Sequence, residues 1–226
     1  AVQDADLVVL ATPVAAIVPY ARRLAKWMRP GSILTDVGST KAQVVEALER
    51  RLPHGVVFVG GHPLAGSEQR GIDAARADLF DGSLCILART ARTDRNALRR
   101  VTWLWSRLCR RVVAMEPQRH DRVLAAISHL PHLIAFSLVN ATDPSALAYA
   151  PRSFLDATRV AQSDPELWDD IFLSNRAALR TAAVRFERAW HTLQRLLSRR
   201  DRAALRRFLA EAKAKRDALE DAQISD

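Results

Sequence analysis

Glycine is scarce in this sequence, eight among 226 residues, and nowhere in the order G-x-G-x-x-G. The glycine-rich turn that cradles a dinucleotide phosphate is therefore not among these residues. Cysteine is scarcer still: Cys85 and Cys109 lie in apolar-patterned segments with no second pair and no histidine at ligand spacing. That argues against a disulfide framework and a zinc site, and both are expected as buried thiols. No stretch approaches ~18 uninterrupted apolar residues. The segment Ala1 to Asp6 also lacks the basic-then-apolar order of a signal peptide. Neither a membrane nor secretion is expected, and the cytoplasm is the expected compartment. Lysine is rare as well, only Lys26, Lys41, Lys213 and Lys215, so the net charge of +9 is carried almost wholly by arginine. The arginines are spread along helical segments and do not cluster with aromatics, which argues against a nucleic-acid partner. A positive field of this kind favours small anionic ligands.

What is present changes character near Glu116-Pro117. Before it, short apolar runs (Leu7–Ala11, Ser32–Asp36, Val56–Gly60, Ser83–Leu87) alternate with helical stretches. Runs without polar alternation suit parallel strands covered on both faces. Arg111–Met115 reads as a last edge strand. After it come Ala/Leu/Arg segments of helical spacing, over about 120–140, 165–198 and 201–221. The signal Ser163-Asp164-Pro165-Glu166 marks one start. The fold class expected is an α/β part, a truncated Rossmann-like parallel sheet over 1–116, followed by an all-α domain over 117–226. A cleft is expected between them.

Three clusters can carry chemistry. Thr35-Asp36-Val37-Gly38-Ser39-Thr40-Lys41 ends a strand, where open α/β sheets place ligands; Ser39 also suits a helix cap. Gly60-Gly61-His62-Pro63 follows the next strand and holds His62 at its mouth, where a neutral imidazole can act as a base and the Ser39 hydroxyl can fix its ring. In the helical part stand Arg119-His120-Asp121, Ser128-His129-Leu130-Pro131-His132 and Asp156-Ala157-Thr158-Arg159. Pro131 cannot donate to the carbonyl of Ile127 and is expected to bend its helix beside His129. His129 and His132 share a face, but no third ligand completes a metal set. The Arg159 guanidinium suits a carboxylate in bidentate fashion.

Taken in order, Ala11-Thr12-Pro13-Val14, Asp36-x-Gly38-Ser39-x-Lys41, Gly61-His62-Pro63-Leu64-Ala65-Gly66-Ser67-Glu68, Ser128-His129-Leu130-Pro131-His132 and Asp156-x-Thr158-Arg159 resemble the prephenate dehydrogenase family, which includes arogenate and cyclohexadienyl dehydrogenases. The resemblance runs from residue 6 to roughly 176. It implies NAD- or NADP-dependent oxidative decarboxylation of prephenate, or of arogenate, in tyrosine biosynthesis. It gives His62 the proton of the substrate hydroxyl, and Ser39 the orientation of His62 and a contact with the nicotinamide. His129 and Arg159 would hold substrate carboxylates, Glu68 and Lys41 would shape the pocket entrance, and Thr12, Pro13 and Val14 would lie along the cofactor. It further implies a homodimer formed through the helical part. Because the family's glycine-rich dinucleotide turn is not in this sequence, weak cofactor binding is expected of these residues alone. The alternative is a catalytically weak or silent member that serves as a substrate-binding or dimerisation module.

Overall fold

Neighbouring residues of the first strands are drawn into opposite cores. In the computed structural model, which describes residues 2–50, 52–53, 55–66, 73 and 75–224, β1 (Leu7–Leu10), β2 (Ile33–Asp36) and β3 (Val57–Val59) form a parallel sheet in that order. Leu34 and Phe58 face one cluster with Val14, Ile17 and Ala21 of α1 (Val14–Leu24) and Val44, Val45 and Leu48 of α2 (Ala42–Glu49). Ile33 and Val59 face the other, with Ala97, Val101 and Trp105 of α3 (Arg95–Trp105). Burial on both faces is why Ile33-Leu34 of β2 and Phe58-Val59 of β3 are consecutive apolar residues, whereas Val9 of β1, expected to be covered, is exposed. Each such side chain contributes about 1.5–3 kcal/mol by leaving water.

A single residue, Gly60, separates β3 from β4 (Gly61–Pro63), which belongs to a second three-stranded sheet. There β4 runs antiparallel to β5 (Leu84–Ala88), and β5 pairs in parallel with β6 (Arg111–Met115) at the edge. The sheet is thus not parallel throughout, and His62, expected at the mouth of the preceding strand, lies in a strand of its own opposite Ile86. Both cysteines are buried in the second cluster. Burial, followed by the field of Cys109, pushes the Cys85 thiol up to about 12.

Helices follow. The first is α4 (Pro117–Leu124), continued by a π-helical turn Ala125–His129 into α5 (Leu130–Ala141). The bend expected at Pro131 takes this form. The proline has no N–H for Ile127, and the Leu130 N–H reaches five residues back to the Ala125 carbonyl. The run Pro117–Ala141 is apolar enough to cross a membrane by length and composition, with mean hydropathy 1.5. It carries three polar side chains, His120, Asp121 and His129, that are fully or almost fully buried. Short helices α6 (Pro144–Leu147) and α7 (Arg152–Thr158) and a 3-10 turn, Arg159–Gln162, come next.

The Asp164 side chain caps α8 (Pro165–Ser174) by accepting from the Leu167 N–H at 3.0 Å, as its sequence signalled. The continuous helix expected over 165–198 is broken at Asn175, before α9 (Arg176–Ser198) and α10 (Arg202–Ile224). By its internal contacts the chain divides into two units, Ala1–Leu179 and Arg180–Asp226, the second consisting of most of α9 and all of α10. The candidate site lies wholly in the first.

Candidate active site

The end of β2 is tied together by one carboxylate. Asp36, wholly buried, accepts from the Gly38 N–H at 2.9 Å and the Gly61 N–H at 3.1 Å, and forms an ion pair with Lys41 Nζ. It therefore fixes the turn after β2 to the first residue of β4. Glycine is required at the second of these positions, since a Cβ on Gly61 would come within 2.8 Å of the Asp36 carbonyl oxygen. Lys41 is wholly buried beneath the site in this ion pair, and it does not stand at the pocket entrance where it was expected. Its length lets the ammonium reach back to Asp36, the one buried countercharge the turn offers. Its backbone N–H and that of Ala42 begin α2 and donate to the Asp121 carboxylate at 2.8 and 2.9 Å. A side chain of α4 thus caps α2 across the fold.

Asp121 leads to a chain of imidazoles. Its Oδ1 is 2.8 Å from His120 Nδ1, and His120 Nε2 is 2.9 Å from His62 Nδ1. The hydrogen bond expected from Ser39 to the His62 ring is instead made by His120. Burial, then the fields of His120, Lys41 and His129, holds His62 well below the usual imidazole range. His120 is lowered by burial despite its bond to Asp121. At Asp121 burial pushes upward, but the bonds from His120 and the Lys41 and Ala42 amides outweigh it and keep the carboxylate ionised.

His129, at the end of the π turn, is almost fully buried, and burial lowers it to about 4. A ring lowered this far is neutral at physiological pH. Asn175 Nδ2 donates to the Asp121 carbonyl at 2.8 Å and lies 3.2 Å from His129 Nδ1. An amide nitrogen only donates, so His129 Nδ1 accepts and its proton stays on Nε2, a neutral donor. The break between α8 and α9 delivers this amide.

These side chains border a cavity of about 530 Å³ lined by Ser39, His62, Leu64, His129, His132, Arg159 and Trp168, among others. That size suits a small molecule. His132 stacks on Trp168 with ring centroids 3.5 Å apart, and His129 meets the same indole edge-on at 6.0 Å. His62 and Arg159, 97 positions apart, therefore share one space. Thr12, Pro13 and Val14 do not line it. They lie at the carboxyl end of β1 and the head of α1, where the Ala15 N–H is taken by Asp170 at 2.9 Å and the Thr12 hydroxyl is buried without a partner. Glu68 lies outside the described residues. Among the described residues no group of three His, Cys, Asp or Glu side chains could hold a metal ion.

Two family models match the chain in succession: the nucleotide-binding domain of prephenate dehydrogenase over residues 1–114 and its dimerization domain over 116–211. The chain belongs to the prephenate dehydrogenase family. It is 40% identical over 186 residues to the cyclohexadienyl dehydrogenase of Zymomonas mobilis, covering 79% of this chain and 63% of that protein. It is 35% identical over 225 residues to the prephenate dehydrogenase of Bacillus subtilis, covering 96% and 61%. The chain thus spans about three fifths of the length of these curated relatives. Among solved structures, it superposes on the prephenate dehydrogenase of Aquifex aeolicus in complex with hydroxyphenyl propionate and NAD+, with a TM-score of 0.88 and 36% identity, covering 95% of this chain and 76% of that one. The arogenate dehydrogenase of Synechocystis gives a TM-score of 0.83 at 31% identity, covering 96% and 80%. The two family models meet at Met115, the last residue of β6.

Of the residues this family membership makes relevant, four carried no assigned role in the sequence: His120, Asp121, Trp168 and Asn175. The first two stood in a motif already singled out, Arg119-His120-Asp121. Trp168 and Asn175 gave no signal, because an indole or an amide on a helix reads as ordinary packing until the fold brings it to a histidine.

Proposed function

We propose that the protein to which this chain belongs is a cytoplasmic, homodimeric, NAD-dependent dehydrogenase that oxidatively decarboxylates prephenate, or arogenate, giving a 4-hydroxyphenyl product. The observation that carries this reading is the shared cavity of His62 and Arg159. The nicotinamide, when bound, accepts the hydride from the ring carbon that bears the hydroxyl. His62 removes the hydroxyl proton as that hydride leaves, stabilising the developing carbonyl, an effect of typically ~10²- to 10⁴-fold. The electron pair of the breaking carbon–carboxylate bond then restores the aromatic ring as carbon dioxide departs.

Arg159 supplies the cation for a substrate carboxylate, and the His129 Nε2–H supplies a neutral donor beside it. A dianionic ligand also brings negative charge towards His62 and so opposes the lowering of its pKa by burial. The residues at the strand ends fit a dinucleotide in one respect: the Thr12 hydroxyl is an orphaned buried polar atom at the carboxyl end of β1, and Ser39 lines the neighbouring cavity. Thr12, Pro13, Val14 and Ser39 would hold the nicotinamide half. NAD is favoured over NADP by the NAD+ complex of the Aquifex aeolicus relative. The dimer is favoured by the matched dimerization domain and by exposed Phe186 and Trp190 on α9.

The test is prephenate turnover, read as NADH formation, with NAD and NADP compared side by side. In an active protein His62→Asn should lower kcat by about 100-fold or more, and Arg159→Ala should raise KM by about tenfold or more. A His62→Asn variant at full rate would remove the assigned base. Titration of NAD and NADP into this chain, with and without residues that precede it in the full protein, measures how much of the cofactor site lies here.

A further inference from the structure

Asp121, His120 and His62 form a line in which, with both rings neutral, the hydrogen bonds run in a single direction. The Asp121 carboxylate accepts from two backbone amides, Lys41 and Ala42, and has no proton of its own to give. His120 Nδ1, 2.8 Å from Asp121 Oδ1, is therefore the donor of that bond. The His120 side chain is wholly buried, and a neutral ring with its proton on Nδ1 has only a lone pair at Nε2. Across the next 2.9 Å, His62 Nδ1 must then donate. That leaves Nε2 of a neutral His62 as an acceptor, and no described residue bonds it.

We propose that His120 and Asp121 are positioning residues that hold the proton of His62 on Nδ1, so that its Nε2 lone pair is kept for the substrate hydroxyl. An unconstrained imidazole favours the opposite tautomer, with the proton on Nε2, and that form cannot accept a proton at the nitrogen left for the cavity. The cap of α2 is part of the device. The two amides that begin this helix saturate Asp121 and prevent its rotation, so the same carboxylate orients a helix and sets the proton distribution of a ring two side chains away. The use of that tautomer in catalysis rests on His62 being the base, whereas the tautomer itself does not.

Nitrogen-15 NMR of histidine-labelled chain at pH 7.5, with His62 assigned by its loss in His62→Asn, reads the tautomer without substrate or cofactor. The expected result is a protonated Nδ1 and an unprotonated Nε2 on His62. His120→Leu, which has no acceptor, should move the proton to Nε2. His120→Gln, whose amide oxygen can accept in place of the lost nitrogen, should restore it to Nδ1. If His120→Leu does not fold, His120→Phe gives the same reading, because a phenyl ring of similar shape likewise offers His62 Nδ1 no acceptor.

In protein that turns over, His120→Leu should lower kcat by about 100-fold with KM changed less than about threefold, and His120→Gln should recover most of the loss. A native His62 carrying its proton on Nε2, or a tautomer indifferent to both His120→Leu and His120→Phe, overturns the proposal. The expected tautomers in a chain whose native full-length protein has no dehydrogenase activity would uphold the proton arrangement and refute the function.

Discussion

Lys41→Met tests whether the buried cation is structural. Both members of the Lys41–Asp36 pair have fully buried side chains. Methionine fills nearly the same volume, so what changes is the charge. The Asp36 carboxylate would keep its bonds from Gly38 and Gly61 but lose its counterion. Leaving a buried charge unpaired costs about 3–5 kcal/mol. For a unit of this size a change of 1 kcal/mol moves Tm by roughly 2–4 °C, so a fall of roughly 10 °C is expected. Urea and thermal unfolding followed by circular dichroism at pH 7.5 give the value. Pairing the change with Asp36→Asn should cost at least about 1 kcal/mol less than the sum of the two single variants, because the charges are lost together. Lys41→Met within about 0.5 kcal/mol of the native chain, or strict additivity in the double variant, would refute the assignment. A lysine acting at the pocket entrance would give the opposite pattern, with ligand binding impaired and stability intact.

Acid should weaken the fold before it touches most carboxylates. His129 falls from an unfolded value of ~6.5 to about 4 in the fold, so between these limits the unfolded chain binds the extra proton. Stability present above pH ~6.5 is lost as pH drops towards 4, by roughly 3 kcal/mol from this ring, and His62 and His120 act in the same direction. Urea unfolding at pH 7.5 and 5 measures it, and equal stabilities would contradict the burial of these rings as neutral species. Gly61→Ala, which forces a Cβ against the Asp36 carbonyl, should destabilise by about 1–3 kcal/mol and lower turnover by shifting His62. Trp168→Ala should cost about 3–5 kcal/mol and leave His132 without its stacking partner, read by thermal unfolding and by a weaker affinity for a phenolic acid ligand.

The alternation of buried strands and helices was legible because two-faced burial sets apolar residues side by side, as in Ile33-Leu34 and Phe58-Val59. Capping at Asp164 was legible for the equally local reason that a short acceptor side chain satisfies an orphaned amide. The β4 strand was not, since Gly61-His62-Pro63 has no apolar pattern and becomes a strand only by pairing with Cys85–Leu87. His62 and Arg159 could be named from the sequence, but their common cavity could not, because it depends on how α5, α7 and α8 fold back upon β4. Lys41 misled for a physical reason: a lysine is nearly always solvated, and only the buried Asp36 makes the exception. The role of Ser39 towards His62 was inferred from proximity to a strand end, whereas the geometry gives that hydrogen bond to His120 from a helix far along the chain.

The two buried thiols have a practical consequence. Cys85 is wholly enclosed and ionises only near pH 12, and Cys109 is almost as inaccessible, so neither offers a reactive thiolate to an alkylating reagent while the chain is folded. A cysteine introduced on the surface would be the sole fast-reacting site in native protein, and a fluorophore or spin label could be attached without first removing the natural pair. Slow uptake of label by the native chain would then serve as a clock for the opening of the core around β5.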